Sequence, residues 1–475
     1  MSGAGTGTGI STGPRTERAL FDAAAECAAL SARCRALCER AAAAGADEAE
    51  VFGLRSESIA VGFEKDDMKL AQVDDGSTLG LRVFRDGRLG FASTNQAGEA
   101  ALAAAARDAL ALAAINPPDP ANRLPAASPV PAGPALVRPD TAAVTVERAV
   151  EIGRELVGRA KRADARLAID KGTVRVGRST RALANTAGAD CAESDAAVSL
   201  SLFGMAVDGG DVGGFHYCGD VVRDLGRLEP ALAQVVHEFV EVSLGNLAAR
   251  AAESYRGPVL FAPDAFVEAL VSPLIAAASA IAVQRGRSAL AGRVGEAVAD
   301  PALSIVDDPG DPTLAGATGF DREGQPARRF ELVAQGVLAG YLYNSYAAHV
   351  DGVASSGHAA GGARSVPGLG PHALCVGVGT GGDLERMLAA LGRGLYVQRF
   401  SGTVDPASGD FSGVAKSARW VEGGAIVGSV RETLLSGNAF ELLRRLVVLS
   451  SAAQRRGGSL RAPHALIDGV SVTAG

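Results

Sequence analysis

In His237-Glu238-Phe239-Val240-Glu241 an imidazole and two carboxylates fall close enough together to suggest metal chemistry. The run departs by one residue from the zinc-protease pattern H-E-x-x-H. That pattern works because His at i and i+4 share a helix face while the Glu reaches the metal-bound water. Here Glu241 stands where the second His would be. A His/Glu pair needs a third ligand, and the sequence identifies none. Polar residues on the wet face of an amphipathic helix are the favoured reading.

Gly377-Val378-Gly379-Thr380-Gly381-Gly382 satisfies G-x-G-x-x-G, after a strand and before a helix, the setting of a dinucleotide-binding turn. The downstream acid, Asp405, sits in the turn DPASGD rather than at the end of a second strand. With 60 Gly in the chain, chance matches to such a motif are common. Gln284-Arg285-Gly286-Arg287-Ser288 offers guanidinium forks to a carboxylate or phosphate. It fits as well the end of a helix whose cations offset the dipole, and that reading is favoured. Tyr341, Tyr343 and Tyr346 are either core packing with hydroxyls at the rim or the lining of a peptide groove fed by strand pairing. The six His never recur at i, i+3 or i+4. A Ser-His-Asp set can be built from distant residues, but no G-x-S-x-G elbow supports one. Asp307-Asp308 is read as a strand end before Pro309-Gly310.

The elements that must position these groups follow from pattern. Residues 16–44 read as one helix. From Glu48 the period changes to two, and an antiparallel meander follows, with Asp86-Gly87 as a two-residue hairpin turn. A second Ala-rich helix covers 97–114. The Pro- and Ala-dense stretch 116–140 is a connector, because Pro removes amide donors and stiffens the chain. A helix at 144–162, alternating strands and a helix at 228–252 come next. GPVLFAPDA is a strand and a turn that opens a helix at Pro263-Asp264. That helix is expected to run through ALVSPLIAAASAIAVQRGRSAL, to Leu290. The Gly-rich stretch 351–370 is a long loop, of the kind that often carries function. The expected organisation is a disordered tail at 1–14, an N-terminal α+β domain at 15–115, the connector at 116–140, a middle region of strands and helices at 141–256, and a C-terminal β-rich domain at 257–475.

Composition narrows the classes. The net charge of -7 argues against a general nucleic-acid or membrane-surface binder. No apolar stretch is long enough to cross a bilayer, and the first residues have no apolar core of a secretory signal. Six Cys in 475 residues do not make a disulfide scaffold. Cys27, Cys34 and Cys38 fit small buried residues on one helix face. A cytoplasmic protein with reduced thiols is the expectation.

Taken in order, STLGLRVFRDGRLGFAST, GPVLFAPDA, AVQRGRSALAGRVGE, LSIVDDP, FDREGQPARRFELVAQGVLAGYLYNSYAA, VDPASGDFSG and WVEGGAIVGSVRETLLSGNAFELL resemble the TldD/PmbA family, also called modulators of DNA gyrase. The resemblance runs from about residue 43 to 475. It implies an α+β fold: an N-terminal α/β portion with an antiparallel meander and helices, then a C-terminal β-rich portion. It also implies two subunit types. The TldD-like type is a metallopeptidase with an H-E-x-x-x-H helix and a Cys ligand near its C-terminus. The PmbA-like type, also called TldE, lacks those ligands and assembles with the first into a chamber that trims unfolded peptides.

In this chain the segment after GPVLFAPDA is FVEALVSPLIAAASAIAVQ, without His, and the C-terminal tail has no Cys. The resemblance therefore implies a PmbA/TldE-like, metal-free subunit with no catalytic or metal-binding residue of its own. Zinc is expected in a TldD-like partner, in a hetero-oligomer that takes unfolded peptide. Arg285, Arg287, Tyr343, Tyr346 and His358 are the expected contacts to peptide or partner. Gly357-His358 stands where the family usually has Gly-Asn, and GVAKSARWVEGG departs from its small-residue run, which points to a specialised substrate or partner. The alternatives are an active metallopeptidase with atypical ligands, His237, Glu238 and Glu241 first among them, and a stand-alone peptide-binding scaffold. A weaker one is a nucleotide-dependent enzyme at 377–382.

Overall fold

The computed structural model describes residues 21–475 except 66 and 432, so the expected tail at 1–14 lies outside the described residues. Helix α1 (Ala23–Ala43) starts where the Asp22 carboxylate accepts the N–H groups of Ala24 and Ala25 at 3.0 and 3.1 Å. This satisfies donors that the first turn leaves unpaired. Its buried face, Leu30, Cys34, Leu37, Cys38 and Ala41, has helical spacing. Burial pushes the Cys34 and Cys38 thiols up, to about 12 and about 11, so both are inert packing groups.

Strands β1 (Glu48–Glu64), β2 (Asp67–Arg85) and β3 (Arg88–Thr94) form the meander, and α2 (Glu99–Ile115) follows. The β2–β3 turn has φ of 50° at Asp86 and 69° at Gly87. That positive pair is what a two-residue turn needs to match strand twist. After the connector come α3 (Pro139–Ala142), α4 (Val146–Ala163), β4 (Leu167–Asn185), β5 (Asp190–Asp208), β6 (Asp211–Val212), β7 (His216–Val222) and α5 (Leu228–Gly245). The strands on the two sides of the connector join in one sheet, of order β3-β2-β1-β4-β5-β6, with β7 also on β5. β1 and β4 pair antiparallel from Glu50↔Asn185 to Phe63↔Gly172.

The long strands have two unlike faces. On one, Val51, Ile59, Val61 and Phe63 of β1 alternate inward under helices: α1 and α2 at one end, α4 and α5 at the other. The opposite face carries Glu50, Phe52, Arg82 and Leu183, and these are buried too. Charged residues on a buried strand face require partners, and the C-terminal portion supplies them.

That portion is built on a 14-stranded sheet among the described residues. Its centre is the strand Tyr255–Phe261, which pairs parallel with Gly394–Val397 and antiparallel with Leu460–Thr473. Helical turns from Pro263 to Ala277 bury Phe266, Leu270, Val271 and Leu274 in the largest apolar core. The single helix expected to reach Leu290 is interrupted. Ser279 is extended, because the Leu342 N–H donates to the Ala278 carbonyl at 2.9 Å and the Ala280 N–H to the Leu342 carbonyl at 3.0 Å. A short helix, Ala280–Gln284, then ends before Gly286, whose φ is 65°. The fold is the expected α+β arrangement, an N-terminal α/β portion followed by a β-rich portion. No helix among the described residues is long and apolar enough to cross a membrane.

His464 on the last strand is buried against the Tyr396 hydroxyl, 3.3 Å from its Nε2. Burial, with the nearby Arg456 charge, holds its imidazole down to about 4. The unfolded chain therefore takes up this proton first. The stability His464 confers is complete above its ordinary value of 6.5 and is lost as pH falls through about 4. Denaturant titrations across that window should show a decline on the order of 3 kcal/mol from this group. The decline should shrink in His464→Gln; an unchanged acid limb would exclude His464 as its source.

Candidate functional site

The two portions meet at a layer of buried charge. Arg82 on β2 reaches Glu50 on β1 at 2.9 Å and Glu323 of the loop Asp321-Arg322-Glu323 at 2.7 Å. Arg322 reaches the other oxygen of Glu50 at 3.2 Å and lies over the Phe52 ring at 4.2 Å. Glu323 also accepts the N–H of Ser345 at 2.7 Å and its hydroxyl at 2.6 Å. All four charged residues are at least 96% buried. Burial works against the Arg82 charge, and Glu50 and Glu323 more than restore it, so its guanidinium stays protonated. Two cations thus balance two anions. Asp321, beside them, is pushed up to about 7 by burial and then by the Glu323 charge, which limits any surplus of negative charge.

A cleft of about 380 Å³ opens at this junction. Arg181 of β4, Glu193 of β5, Thr318, Arg322 and His372 are among its walls. Glu193 accepts from Arg181 Nε at 2.7 Å, from the Thr318 hydroxyl at 2.7 Å and from Gly319 N–H at 2.9 Å. A neighbouring groove of about 650 Å³ runs between connector residues 127–134 and the start of β5.

Behind the cleft, Ser356 Oγ lies 2.8 Å from His358 Nδ1, and His358 Nε2 lies 3.2 Å from Asp307 Oδ2. The order is that of a Ser-His-Asp relay. Its surroundings are those of a clamp. The Ser356 hydroxyl already accepts the Tyr343 N–H at 2.7 Å, and the His358 side chain is 1% exposed. Asp307 accepts the N–H groups of His372 and Ala373, and His372 Nε2 lies 2.8 Å from the Gly357 carbonyl. Burial opposes the Asp307 charge, but His358, His372 and these amides hold its carboxyl below the ordinary range. Together they fix the expected Gly-rich loop onto the strand Ile305–Asp307.

The sequence-derived site residues divide accordingly. Arg285 and Arg287 are exposed, and neither side chain makes a hydrogen bond or ion pair among the described residues. Tyr346 donates to Asp119 of the connector at 2.9 Å, close enough to Arg285 to feel its charge. Tyr343 donates to Asp351 at 2.9 Å. Arg285, Tyr343 and Tyr346 therefore stand around the helix Ser345–Asp351. Tyr341 instead donates to the Leu290 carbonyl at 2.6 Å, a packing role. His358 cannot be a surface contact, because it is enclosed in the clamp. The buried set Glu50, Arg82, Arg322 and Glu323 was not singled out from sequence. The only signal was charge at alternating positions of otherwise apolar strands.

Two other motifs take the structural reading favoured from sequence. His237 and Glu241 face solvent, with side chains 79% and 63% exposed, whereas Glu238 turns inward to Arg456. The three do not converge on one point. In 377–382 the amides are already occupied: Gly377 donates to Ser304, Gly379 to Ser450 and Gly381 to Leu449. The following helix, Leu384–Leu391, is capped by the Asp383 carboxylate, which would repel a phosphate.

Comparison with known proteins decides the family. Residues 49–113 match the model of the PmbA/TldA metallopeptidase domain 1, 139–254 the central domain, and 254–474 the C-terminal domain. The chain belongs to the PmbA/TldD family. It is 26% identical to the metalloprotease PmbA of Escherichia coli O157:H7, over 89% of this chain and 92% of that protein. A homologue of that protein in Haemophilus influenzae is 26% identical over 88% of this chain and 90% of its own length. A match to a protein of Methanocaldococcus jannaschii, 29% identical, spans only 50% of that relative. In structure the chain is similar to TldE from Thermococcus kodakarensis, with a TM-score of 0.83 and 24% identity, covering 93% of this chain and 100% of the other. That similarity establishes the PmbA/TldD fold.

Arg82→Ala would leave Glu50 and Glu323 buried without their shared cation. Urea unfolding should register a loss of roughly 3–5 kcal/mol; a loss within error of zero would mean the charge layer does not hold the junction. At Gly379 a Cβ would meet the Leu449 carbonyl oxygen at 2.7 Å. Gly379→Ala should lower Tm, while added NAD should leave the Tm of the unaltered protein where it is.

Proposed function

We propose that this chain is the PmbA/TldE-like subunit of a TldD/TldE-type peptidase, in which the metal-bearing TldD-like partner cuts unfolded peptides and this chain completes the chamber. The observation that carries the reading is the segment Pro263–Gln284. In a TldD-like chain this place after the strand would hold H-E-x-x-x-H. Here it contains no imidazole. Of its two acids, Asp264 is paired with Arg456 at 2.8 Å, and Glu268 is committed to Arg399 at 3.1 Å and to the Phe400 N–H at 3.1 Å. Burial raises the Glu268 carboxyl, which suits a packed group rather than an open ligand.

Two surfaces support partner and peptide roles. Arg285 and Arg287 present free guanidinium groups, able to take carboxylates of another chain. Among the described residues β2 pairs with β3 only from Leu79 onward, so between Asp67 and Thr78 it has β1 on one side and no strand on the other. Met68 and Leu70 are exposed along it. An extended peptide adds to such an edge by backbone pairing, with side chains setting specificity. Thiol usage fits a reducing compartment, and the cytoplasm is the proposed location.

Coexpression with a TldD-like chain tests the assembly. The two should copurify, and peptidase activity on an unfolded peptide should need both. Peptidase activity of the lone chain, abolished by a chelator, would overturn the reading. Arg285→Glu with Arg287→Glu should weaken partner capture at least several-fold without moving Tm, since neither side chain has a hydrogen-bond or ion-pair partner among the described residues.

A further inference from the structure

Among the described residues one group of metal-competent side chains lies between β7 and α5, one arginine away from Asp264 at the start of the segment Pro263–Gln284. His216 and Cys218 are two residues apart on β7, so they project from the same face of the strand. That face is covered by α5, from which Glu238 points inward. A nitrogen, a sulfur and an oxygen of these three residues all lie within 4.8 Å of one another.

The imidazole is the telling group. His216 is 3% exposed, yet among the described residues neither of its ring nitrogens has a hydrogen-bond partner. The nearest charged atom is a Glu238 oxygen, 3.5 Å from Nε2. Buried polar atoms almost always have a partner, so an unpaired imidazole facing a carboxylate and a thiol marks a missing one. A water could bridge them. The set of imidazole, thiol and carboxylate, however, matches the ligand types that zinc takes.

The surrounding charge is compatible with a dication. Arg456 makes a two-pronged contact with Glu238, at 2.5 and 2.6 Å, and also reaches Asp264 at 2.8 Å. The two carboxylates exceed the one guanidinium by a single negative charge. A divalent ion that also displaces the Cys218 proton brings the group to neutrality. Two-pronged pairing uses one lone pair on each carboxylate oxygen, and each oxygen keeps another. Glu238 can therefore hold Arg456 and a metal together.

We infer that His216, Cys218 and Glu238 bind one zinc ion, which ties β7 to α5 and sits beside the Arg456 contact to the C-terminal portion. On binding, the Cys218 sulfur gives its proton to solvent and its electron pair to the metal, and a solvent oxygen can fill a fourth position. The site is independent of the peptidase assembly. Its three ligands are enclosed between β7 and α5, so its role is structural, a clamp on the helix that carries Glu238.

Cobalt(II) titration of the chelator-treated full chain tests this directly. One equivalent should bind with a thiolate-to-cobalt charge-transfer band and release of one proton, and zinc should displace it. Cys218→Ala and His216→Gln should each weaken binding by more than about 100-fold, while Cys375→Ser and His237→Ala should leave it unchanged. Zinc should raise Tm in the unaltered protein and not in Cys218→Ala. Should the variants not fold, the unaltered protein still decides: a folded chain that binds no cobalt, or binds it without a thiolate band, overturns the site, as does a band that survives in Cys218→Ala. A bridging water alone would give that same empty titration.

Discussion

The structure depends on arginine forks that cross a buried junction. A sheet with helices on only one face must cover the other, and here that face is not apolar throughout. It carries Glu50 and Arg82, whose desolvation is tolerable only if each finds its counter-charge. The loop Asp321-Arg322-Glu323 supplies both signs at once. The same device recurs along the junction. Arg223 pairs with Asp195 and donates to the Leu314 carbonyl at 2.6 Å, and Arg455 reaches Asp220 at 2.5 Å. A planar fork with several donors suits this task, because it satisfies carboxylates and loop carbonyls together. Such contacts specify one docking of the two portions where an apolar face would permit many.

This arrangement also sorts reactive-looking groups from available ones. Asp307, His358 and Ser356 have the identities of a catalytic relay, but Ser356 and Asp307 are taken up by backbone amides and His358 is enclosed. The glycines of 377–382 serve close packing against the strand Leu446–Arg456. What stays open among the described residues is different in kind: free guanidinium groups at Arg285 and Arg287, a length of β2 with a strand on one side only, and an unpartnered imidazole at His216. The first two suit association with another chain, in keeping with a family that contains both PmbA and TldD relatives. The third suits an ion.

Much of the fold was legible because it is written in local period. Alternation announced the meander, Asp86-Gly87 its turn, and the Ala-rich runs their helices. The absence of imidazole from the segment after the strand Tyr255–Phe261 is likewise a property of sequence alone. The helix drawn to Leu290 failed because its interruption comes from Leu342, sixty-odd residues on, whose backbone bonds pull Ser279 out of helical geometry.

The site was less legible, since its parts are distant in the chain. Nothing local to Glu50, Arg82 or Glu323 says that they meet, and nothing local to His216 says that Glu238 rather than His237 faces it. The sequence by itself determined most of the elements, the family and the lack of a zinc helix, because these rest on residue identity and short-range spacing. Only the tertiary structure decided which polar groups are free and which are bound. That depends on whether a partner of opposite charge or hydrogen-bonding sense arrives from another element once both have left water.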